Sequence, residues 1–437
     1  MSMKIRVHKP RNLTAEIALP ASKSISNRAL LLAALSGAPT SELTNISDCD
    51  DTRAMLTGLK TRDNVVNIGA AGTAMRFLTA WLSLSTDKAT TAQTALGEHI
   101  ITGSERMCHR PIGVLVEALR SLGAKIEYIG EEGYPPLRIQ SSPLRGGQLT
   151  LPGNVSSQYV SALLMIAPLL KEGLRLSLTG EVISRPYIEM TMAMMRDFGA
   201  DAIWKDERTI EVASQPYHSM PYTIESDWSA ASYWYETVLL SDNEHETATL
   251  KGLFEVSLQG DSVVRELFGR LGIQSMPLSQ GTREPRICLV RRGAVSERLD
   301  CDFTRMPDLV QTLVVACALK GIPFRFTGVQ SLRIKETDRI AALQAELAKL
   351  GVSLENEGDS ILLWKGPEEQ SLARVPYLMP TSGTAIDTYD DHRMAMAFAP
   401  AAFVLGSIDI NEPEVVSKSY PRFWQDLEQA GFTLEQL

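Results

Sequence analysis

The sequence predicts an α/β fold built from six similar units, grouped as two domains of three. Three observations carry that prediction. Two kinds of helical segment alternate along the 437 residues, and each kind occurs six times. Strand-like segments separate them. The turn that opens each helix of the first kind recurs at intervals of 58 to 83 residues, as expected of an internal repeat.

Helices of the first kind follow a strand that ends in a small or turn-forming residue, then run amphipathically. Their turn residues are Asn45, Gly103, Gly180, Gly252, Gly328 and Asn411. Five of the six stop at Gly123, Gly199, Gly272, Gly351 and Gly431, the residue type suited to the positive φ at which a helix ends. The first copy lacks that glycine. Helices of the second kind are almost wholly apolar after a polar start: SKSISNRALLLAALS, GTAMRFLTAWLSL, SSQYVSALLMIAPLL, DWSAASYWYETVLL, TRMPDLVQTLVVACAL and DDHRMAMAFAPAAFVL. A helix apolar on every side belongs in a domain interior. Three units bound each core at an ordinary domain size. No linker or charge run marks the boundary, so the repeat count places it near Ser226.

The composition, 44% hydrophobic and 22% charged, is that of a soluble globular chain. No apolar run approaches the roughly 18–20 residues that cross a bilayer. The opening MSMKIRVHKP enters a strand-like alternation at once, so no signal or transit segment is expected. Cys49, Cys108, Cys288, Cys301 and Cys317 form neither a CxxC nor a Cys/His ligand set. An odd, scattered set reads as reduced thiols in a cytoplasmic protein. A net charge of −9 argues against a nucleic-acid footprint, and any strongly cationic site has to be local. No metal cluster and no cofactor fingerprint is present, so neither a metal nor a cofactor is expected.

The polar residues fall at helix starts, where free N–H groups and the positive dipole end favour anions. Lys23, Ser24 and Arg28 open the first buried helix, Gly72 and Thr73 the second, and Ser156, Ser157 and Gln158 the third. Asp308 opens the fifth, and His392 with Arg393 the sixth. If the buried helices of a domain run the same way, their starts converge on one surface, and two such surfaces facing each other would make an anion-rich cleft. SKSISNR offers one ammonium and one guanidinium five residues apart, suited to phosphate and carboxylate; serine capping with two solvated cations is the plainer reading. GAAGTAMR is a glycine-bearing turn that lets a ligand approach the backbone, or simply a helix cap. It satisfies neither GxGxxG nor GxxxxGK[ST], so a nucleotide has little support.

LRIKETDRI is the sharpest cluster, with Arg333, Lys335, Glu336 and Arg339 within seven residues. At i,i+4, Lys335 and Arg339 are expected on one helical face. Asp308 leads an apolar helix either as its N-cap or as a general base, and His392 serves equally well as a packing residue. Seven cations occupy equivalent helix entrances: Lys23, Arg28, Arg110, Lys335, Arg339, Arg393 and Lys418. Such a set suits two multiply charged anions, with Asp308 and Glu336 available for proton transfer.

The motifs ASKSISNRALLLAAL, AGTAMRFL, RPIGVLVEALRSLGA, VSSQYVSALLMIAPL, RIKETDRI and DDHRMAMAF, in this order from Leu19 to Lys418, resemble those of the EPSP synthase (3-phosphoshikimate 1-carboxyvinyltransferase) family. The resemblance implies two similar domains, each of three βαβαββ units around buried parallel helices. It implies residues 21–226 as one domain, with 1–20 and 227–437 forming a discontinuous second one. It implies transfer of the enolpyruvyl group of phosphoenolpyruvate to shikimate 3-phosphate, a shikimate-pathway step toward chorismate and the aromatic amino acids, by a cytoplasmic monomer.

Residue by residue, it implies that Lys23, Ser24, Arg28, Ser156, Ser157, Gln158, Ser184, Tyr187, Asp308 and Lys335 bind shikimate 3-phosphate. Lys23, Gly72, Arg110, Gln158, Arg339, Arg393 and Lys418 would surround phosphoenolpyruvate. Asp308, Glu336 and Lys23 would be catalytic, Asp308 as base and Glu336 as proton donor. Three departures from the family pattern stand out: Ala70 in the glycine-rich turn, Ser331 before RIKETDRI, and Arg185 beside Ser184. A UDP-N-acetylglucosamine enolpyruvyl transferase is the alternative. Such enzymes usually carry a loop cysteine five residues before their Arg-Pro; Glu105 stands there, and Cys108 is out of register.

Overall fold

In the computed structural model the described residues are 3–61, 63–85, 97–241, 243–278, 285–367, 378 and 384–437. The chain divides into two compact units. One is Ala21–Glu225; the other is Met1–Pro20 with Ser226–Leu437.

All six apolar segments are helices: Lys23–Ser36, Gly72–Ser83 and Ser157–Ile166 in the first unit, Trp228–Leu240, Val310–Lys320 and His392–Phe398 in the second. Every residue of Gly72–Ser83 is buried, and so is every residue of Trp228–Leu240 except Ser229, which is partly exposed. Apolarity on all sides thus does what it should, placing these helices where sheets and amphipathic helices cover them.

The repeat is clearest in the strands Gly147–Pro152, Leu174–Thr179, Ala202–Trp204 and Thr209–Val212. The first two pair in parallel across the buried helix Ser157–Ile166, as a crossover requires. After the amphipathic helix Arg185–Asp197, the last two return as an antiparallel pair, with Thr209–Val212 against Leu174–Thr179. This βαβαββ pattern recurs over residues 65–140 and 299–364.

The two remaining four-stranded sheets are completed by the start of the chain. Thr14–Ala18 pairs in parallel with Thr247–Lys251 and fills the first-strand place. Lys4–His8 lies antiparallel between Ser407–Asn411 and Thr433–Gln436 and fills the last. Residues 4–18 therefore belong with the unit that ends the chain.

One unit departs from the expected βαβαββ pattern. Among the described residues, Leu43–Thr44 and Tyr222–Thr223 form a two-stranded parallel sheet with no hairpin. The helix Asp50–Lys60 leads instead to Val65, which begins the next sheet. The missing hairpin accounts for the shortest repeat interval, 58 residues, and for the missing stop glycine. The other five stop glycines all have positive φ, between 84° and 106°.

Candidate active site

In the second unit, the starts of three buried helices come together. Asp308 lies in a single 3-10 turn, Pro307–Leu309, ahead of Val310–Lys320. It lies inside that turn, and Met306 and Leu309 hold the cap positions of the turn and of the helix. Its carboxylate faces cations: Arg339 Nη1 at 3.1 Å, Arg393 Nη2 at 3.0 Å and Lys335 Nζ at 3.8 Å. Arg393 also donates to the Asp308 carbonyl at 3.1 Å. Burial works against the charge on Asp308, but Arg393, then Lys335 and Arg339, hold its carboxyl far below the usual range. Burial likewise lowers the Lys335 ammonium, against the pull of Asp308.

Arg339 is the hub. Its Nη2 donates to Glu336 Oε2 at 2.8 Å and its Nε to Asp391 Oδ2 at 2.7 Å. Burial disfavours this guanidinium, yet Asp391, Glu336 and Asp308 together raise its pKa. Lys418, at the end of the 3-10 segment Pro413–Lys418, reaches Glu336 Oε1 at 3.1 Å. Both expected proton-transfer carboxylates are thus tied to the same arginine, and each has further cations of its own.

The RIKETDRI segment does not form the helical face expected of it. Its helix begins only at Arg339, because Asp338 accepts the N–H groups of Ile340 and Ala341 and caps it there. Lys335 lies outside the helix, and it and Arg339 both face Asp308. Arg333 turns away, to Asp338 at 3.0 Å and Asp359 at 3.2 Å.

In the first unit, Lys23 Nζ stands 3.3 Å from Asp51 Oδ2, at the start of Asp50–Lys60. Arg28 is buried. Its guanidinium donates to Thr191 Oγ1 at 2.7 Å, Ser24 O at 2.9 Å, Ser161 Oγ at 3.1 Å and Tyr187 O at 3.4 Å. It also packs over the rings of Phe77 and Tyr187. None of these partners is a carboxylate, and burial brings Arg28 down to about 10.

Ser156 caps Ser157–Ile166 by accepting the Gln158 N–H, and the Gln158 amide donates to Thr73 Oγ1 at 3.1 Å. Two helix starts therefore meet here as well. Arg110 lies against Gly72, where a Cβ would stand 2.7 Å from Nη1. The adjoining Pro111 carbonyl is gripped by Tyr159 OH at 2.6 Å and Arg76 Nη2 at 3.1 Å, which fixes the turn that carries Arg110. Ser184 is buried with φ 53° just before Arg185–Asp197.

Several residues of these networks were not singled out from the sequence. Asp51 and Asp391 are each the second of two adjacent aspartates at a helix start, a pattern that capping preference alone flags. Asp391 is fully buried and also accepts the Arg393 N–H at 2.9 Å. Ser161 and Thr191 are hydroxyls inside apolar helical stretches, a mismatch that announces a buried polar partner.

Comparison with known proteins decides the family. The model of one family, described as EPSP synthase (3-phosphoshikimate 1-carboxyvinyltransferase), matches residues 7–61 and 59–427. A 3-phosphoshikimate 1-carboxyvinyltransferase of Bacteroides fragilis is 54% identical over 434 residues, 99% of each chain. The chain belongs to the EPSP synthase family. A relative of the same name from Vibrio cholerae is 36% identical over 445 residues, covering 95% of this chain and 97% of its own. An EPSP synthase structure from Acinetobacter baumannii shares the fold with a TM-score of 0.76 at 23% identity, over 100% of both chains.

Within the EPSP synthase family, the three departures have distinct local settings. Arg185 is engaged on its own helix, with Nε on Glu189 at 2.9 Å and the guanidinium over the Trp204 ring. Ala70 is an exposed turn residue. Ser331 lies in the 3-10 segment Gln330–Ile334 that leads to Lys335.

Proposed function

We propose that this chain transfers the enolpyruvyl group of phosphoenolpyruvate to the 5-hydroxyl of shikimate 3-phosphate and releases phosphate. The observation that carries the reading is the sharing of Arg339 by Asp308 and Glu336, with Lys335, Arg393 and Lys418 around them. Two carboxylates held among that many cations suit proton transfer beside anionic substrates.

In this reading Asp308 takes the proton of the 5-hydroxyl as its oxygen attacks C2 of phosphoenolpyruvate. Glu336, paired with Lys418, delivers a proton to the methylene carbon, giving a tetrahedral intermediate. The C2–O bond to phosphate then breaks, a methyl proton is lost again, and the enol ether remains. The hydroxyl proton leaves in balance with the released phosphate. Bound anions would draw Lys335, Arg339 and Arg393 toward themselves and so free Asp308 to accept a proton.

Lys23, Ser24, Arg28, Ser156, Ser157, Gln158, Ser184, Tyr187, Asp308 and Lys335 are assigned to shikimate 3-phosphate. Lys23, Gly72, Arg110, Gln158, Arg339, Arg393 and Lys418 are assigned to phosphoenolpyruvate, and Lys23 is a third catalytic group. For Arg28 the support is a buried charge whose hydrogen-bond partners among the described residues include no carboxylate, to which a phosphate is a natural counterion. The alternative UDP-N-acetylglucosamine reaction gains nothing from Cys108, whose thiol lies 3.8 Å from the Gly103 carbonyl, nor from the exposed Glu105.

We read the protein as a cytoplasmic monomer. Its five cysteines are free, and no helix among the described residues is long and apolar enough to cross a membrane. The deciding experiment is phosphate release with both substrates together and with each alone. Release that needs only one of them, or that fails with both, refutes the assignment. Light scattering on a sizing column checks the monomer.

A further inference from the structure

One buried carboxylate beside the cluster has no task in this mechanism. Asp261 lies in the 3-10 segment Gly260–Val263 and is only 4% exposed. Its Oδ2 accepts a short hydrogen bond from the Ser229 hydroxyl. Its Oδ1 is buried with no hydrogen-bond partner among the described residues. Ser229 opens the buried helix Trp228–Leu240, and its Oγ accepts from Arg393 Nη2 at 3.4 Å. The same nitrogen of Arg393 lies 3.0 Å from Asp308 Oδ2. A continuous line of contacts therefore runs from Asp261 through Ser229 and Arg393 to Asp308.

The segment does not need Asp261 to stay in place. Gln259 accepts the Trp228 N–H at 3.1 Å and donates to the Ser226 carbonyl at 2.8 Å, which ties the segment to the helix start. An acid with one buried oxygen unpaired is a costly occupant where an apolar residue would pack as well. What the acid adds is charge. Three cations around Asp308 make it a weak proton acceptor, and a second carboxylate beyond Arg393 shares one of those cations.

We propose that Asp261 is a positioning residue of the transfer reaction, which acts through Ser229 on Arg393 and thereby raises the basicity of Asp308. The inference rests on the reading of Asp308 as the base. The groups that face Asp261 are Ser229 and Asp227 at one helix start, Arg393 at another, and Asp308 ahead of a third. Burial, reinforced by the charge of Asp308, pushes Asp261 up to about 7, against the pull of Arg393. Ionised Asp261 strengthens Asp308 as a base, and protonated Asp261 weakens it. Turnover therefore gains from Asp261 as the pH rises through neutrality. No proton passes along the line; the coupling is electrostatic.

The test is the pH profile of phosphate release in Asp261→Asn, which keeps the shape and fixes the neutral state. Turnover should fall about tenfold at pH 8, the size of one unit of base strength. It should approach the parental value at pH 6, with the KM of both substrates within about twofold of the parent's, as for a change confined to the chemical step. Ser229→Ala should act alike, and the double variant should be no slower than either single one, as expected of one pathway.

Carboxyl ¹³C spectra of aspartate-labelled protein give a readout apart from turnover. One resonance should titrate in the neutral range and vanish in Asp261→Asn. Its absence overturns the proposal, as does a variant whose rate falls equally at every pH. A parent that titrates in this way yet releases no phosphate overturns the assigned reaction, and this role with it. An active parent whose pH profile Asp261→Asn leaves unchanged overturns the role alone.

Discussion

The guanidinium of Arg110 lies against the bare Cα of Gly72, so that a methyl group there would stand 2.7 Å from Nη1 and 3.2 Å from Cζ. Gly72 is the first residue of its helix and lacks positive φ, so alanine is conformationally acceptable there. The conflict falls on a mobile side chain end, not on the backbone. Gly72→Ala should therefore fold normally but displace Arg110. If Arg110 binds phosphoenolpyruvate as proposed, its displacement should raise the KM for that substrate by about tenfold, in the range of one charge-assisted hydrogen bond. The KM for shikimate 3-phosphate should stay near the parent's. An equal rise in both would place Arg110 elsewhere.

Arg28→Lys keeps the charge of Arg28 but cannot reproduce four donors in a planar fork. Thr191, Ser161 and the Tyr187 carbonyl lose partners in a buried setting. The variant should lose about 2–3 kcal/mol of stability in urea unfolding. If Arg28 also binds the substrate phosphate, the rise in Tm on adding shikimate 3-phosphate should shrink. A ligand-induced rise equal to the parent's would make Arg28 purely structural.

Glu236 lies midway along the buried helix Trp228–Leu240, and neither carboxyl oxygen has a partner among the described residues. Burial raises its pKa well above the ordinary glutamate value. The folded form therefore holds a proton that the unfolded chain releases above about pH 4.3. With the folded value raised, the stability from Glu236 is full below that pH and is lost as the pH rises toward the folded pKa. The loss runs at about 1.4 kcal/mol per unit. Glu236→Gln, which stays neutral, should show little difference from the parent at pH 4.5 and a growing advantage up to pH 8. A difference that does not change with pH would mean that the glutamate is ionised in the folded protein.

The sequence carried the fold well because repetition multiplied each weak signal. One apolar helix start such as GTAMRFL says little, whereas six in phase define six buried helices. The strands that complete two sheets from the start of the chain, Lys4–His8 and Thr14–Ala18, could not be paired by local pattern, because sheet partners hundreds of residues away leave no periodic trace. The cations of the site were legible because most stand at or near a helix start, although Lys335 lies outside its helix and Lys418 ends a 3-10 segment. Their counterions were less so. Nothing local in the sequence marks the partners of Asp51, Asp391 and Asp261; the fold brings the first two beside Lys23 and Arg339 and sets Asp261 against Ser229. Asp308 could be read from the sequence as a cap or as a base, and only the fold shows three cations gathered on its carboxylate.

That outcome sharpens what Asp308→Asn should do. As a cap, asparagine would nearly replace aspartate. In the cluster it leaves Arg339, Arg393 and Lys335 without the charge they share, although Arg393 keeps the residue 308 carbonyl. The variant should lose about 1–3 kcal/mol of stability, as when one partner is removed from a buried ion cluster. The sign of the pH dependence follows from the depressed pKa of Asp308. Its stabilisation is fully present above the unfolded aspartate value of about 4, and is lost as the pH falls below that toward the folded pKa. Urea unfolding at pH 6 and at pH 3 should thus separate parent and variant more at the higher pH. Turnover should fall by at least about a hundredfold, because an amide accepts no proton. Phosphate should stabilise the variant more than the parent, since an anion can answer the exposed cations. If Asp308→Asn keeps near-parental turnover, the carboxylate serves only to hold the cations, and the hydroxyl proton leaves by way of Glu336 or Lys23.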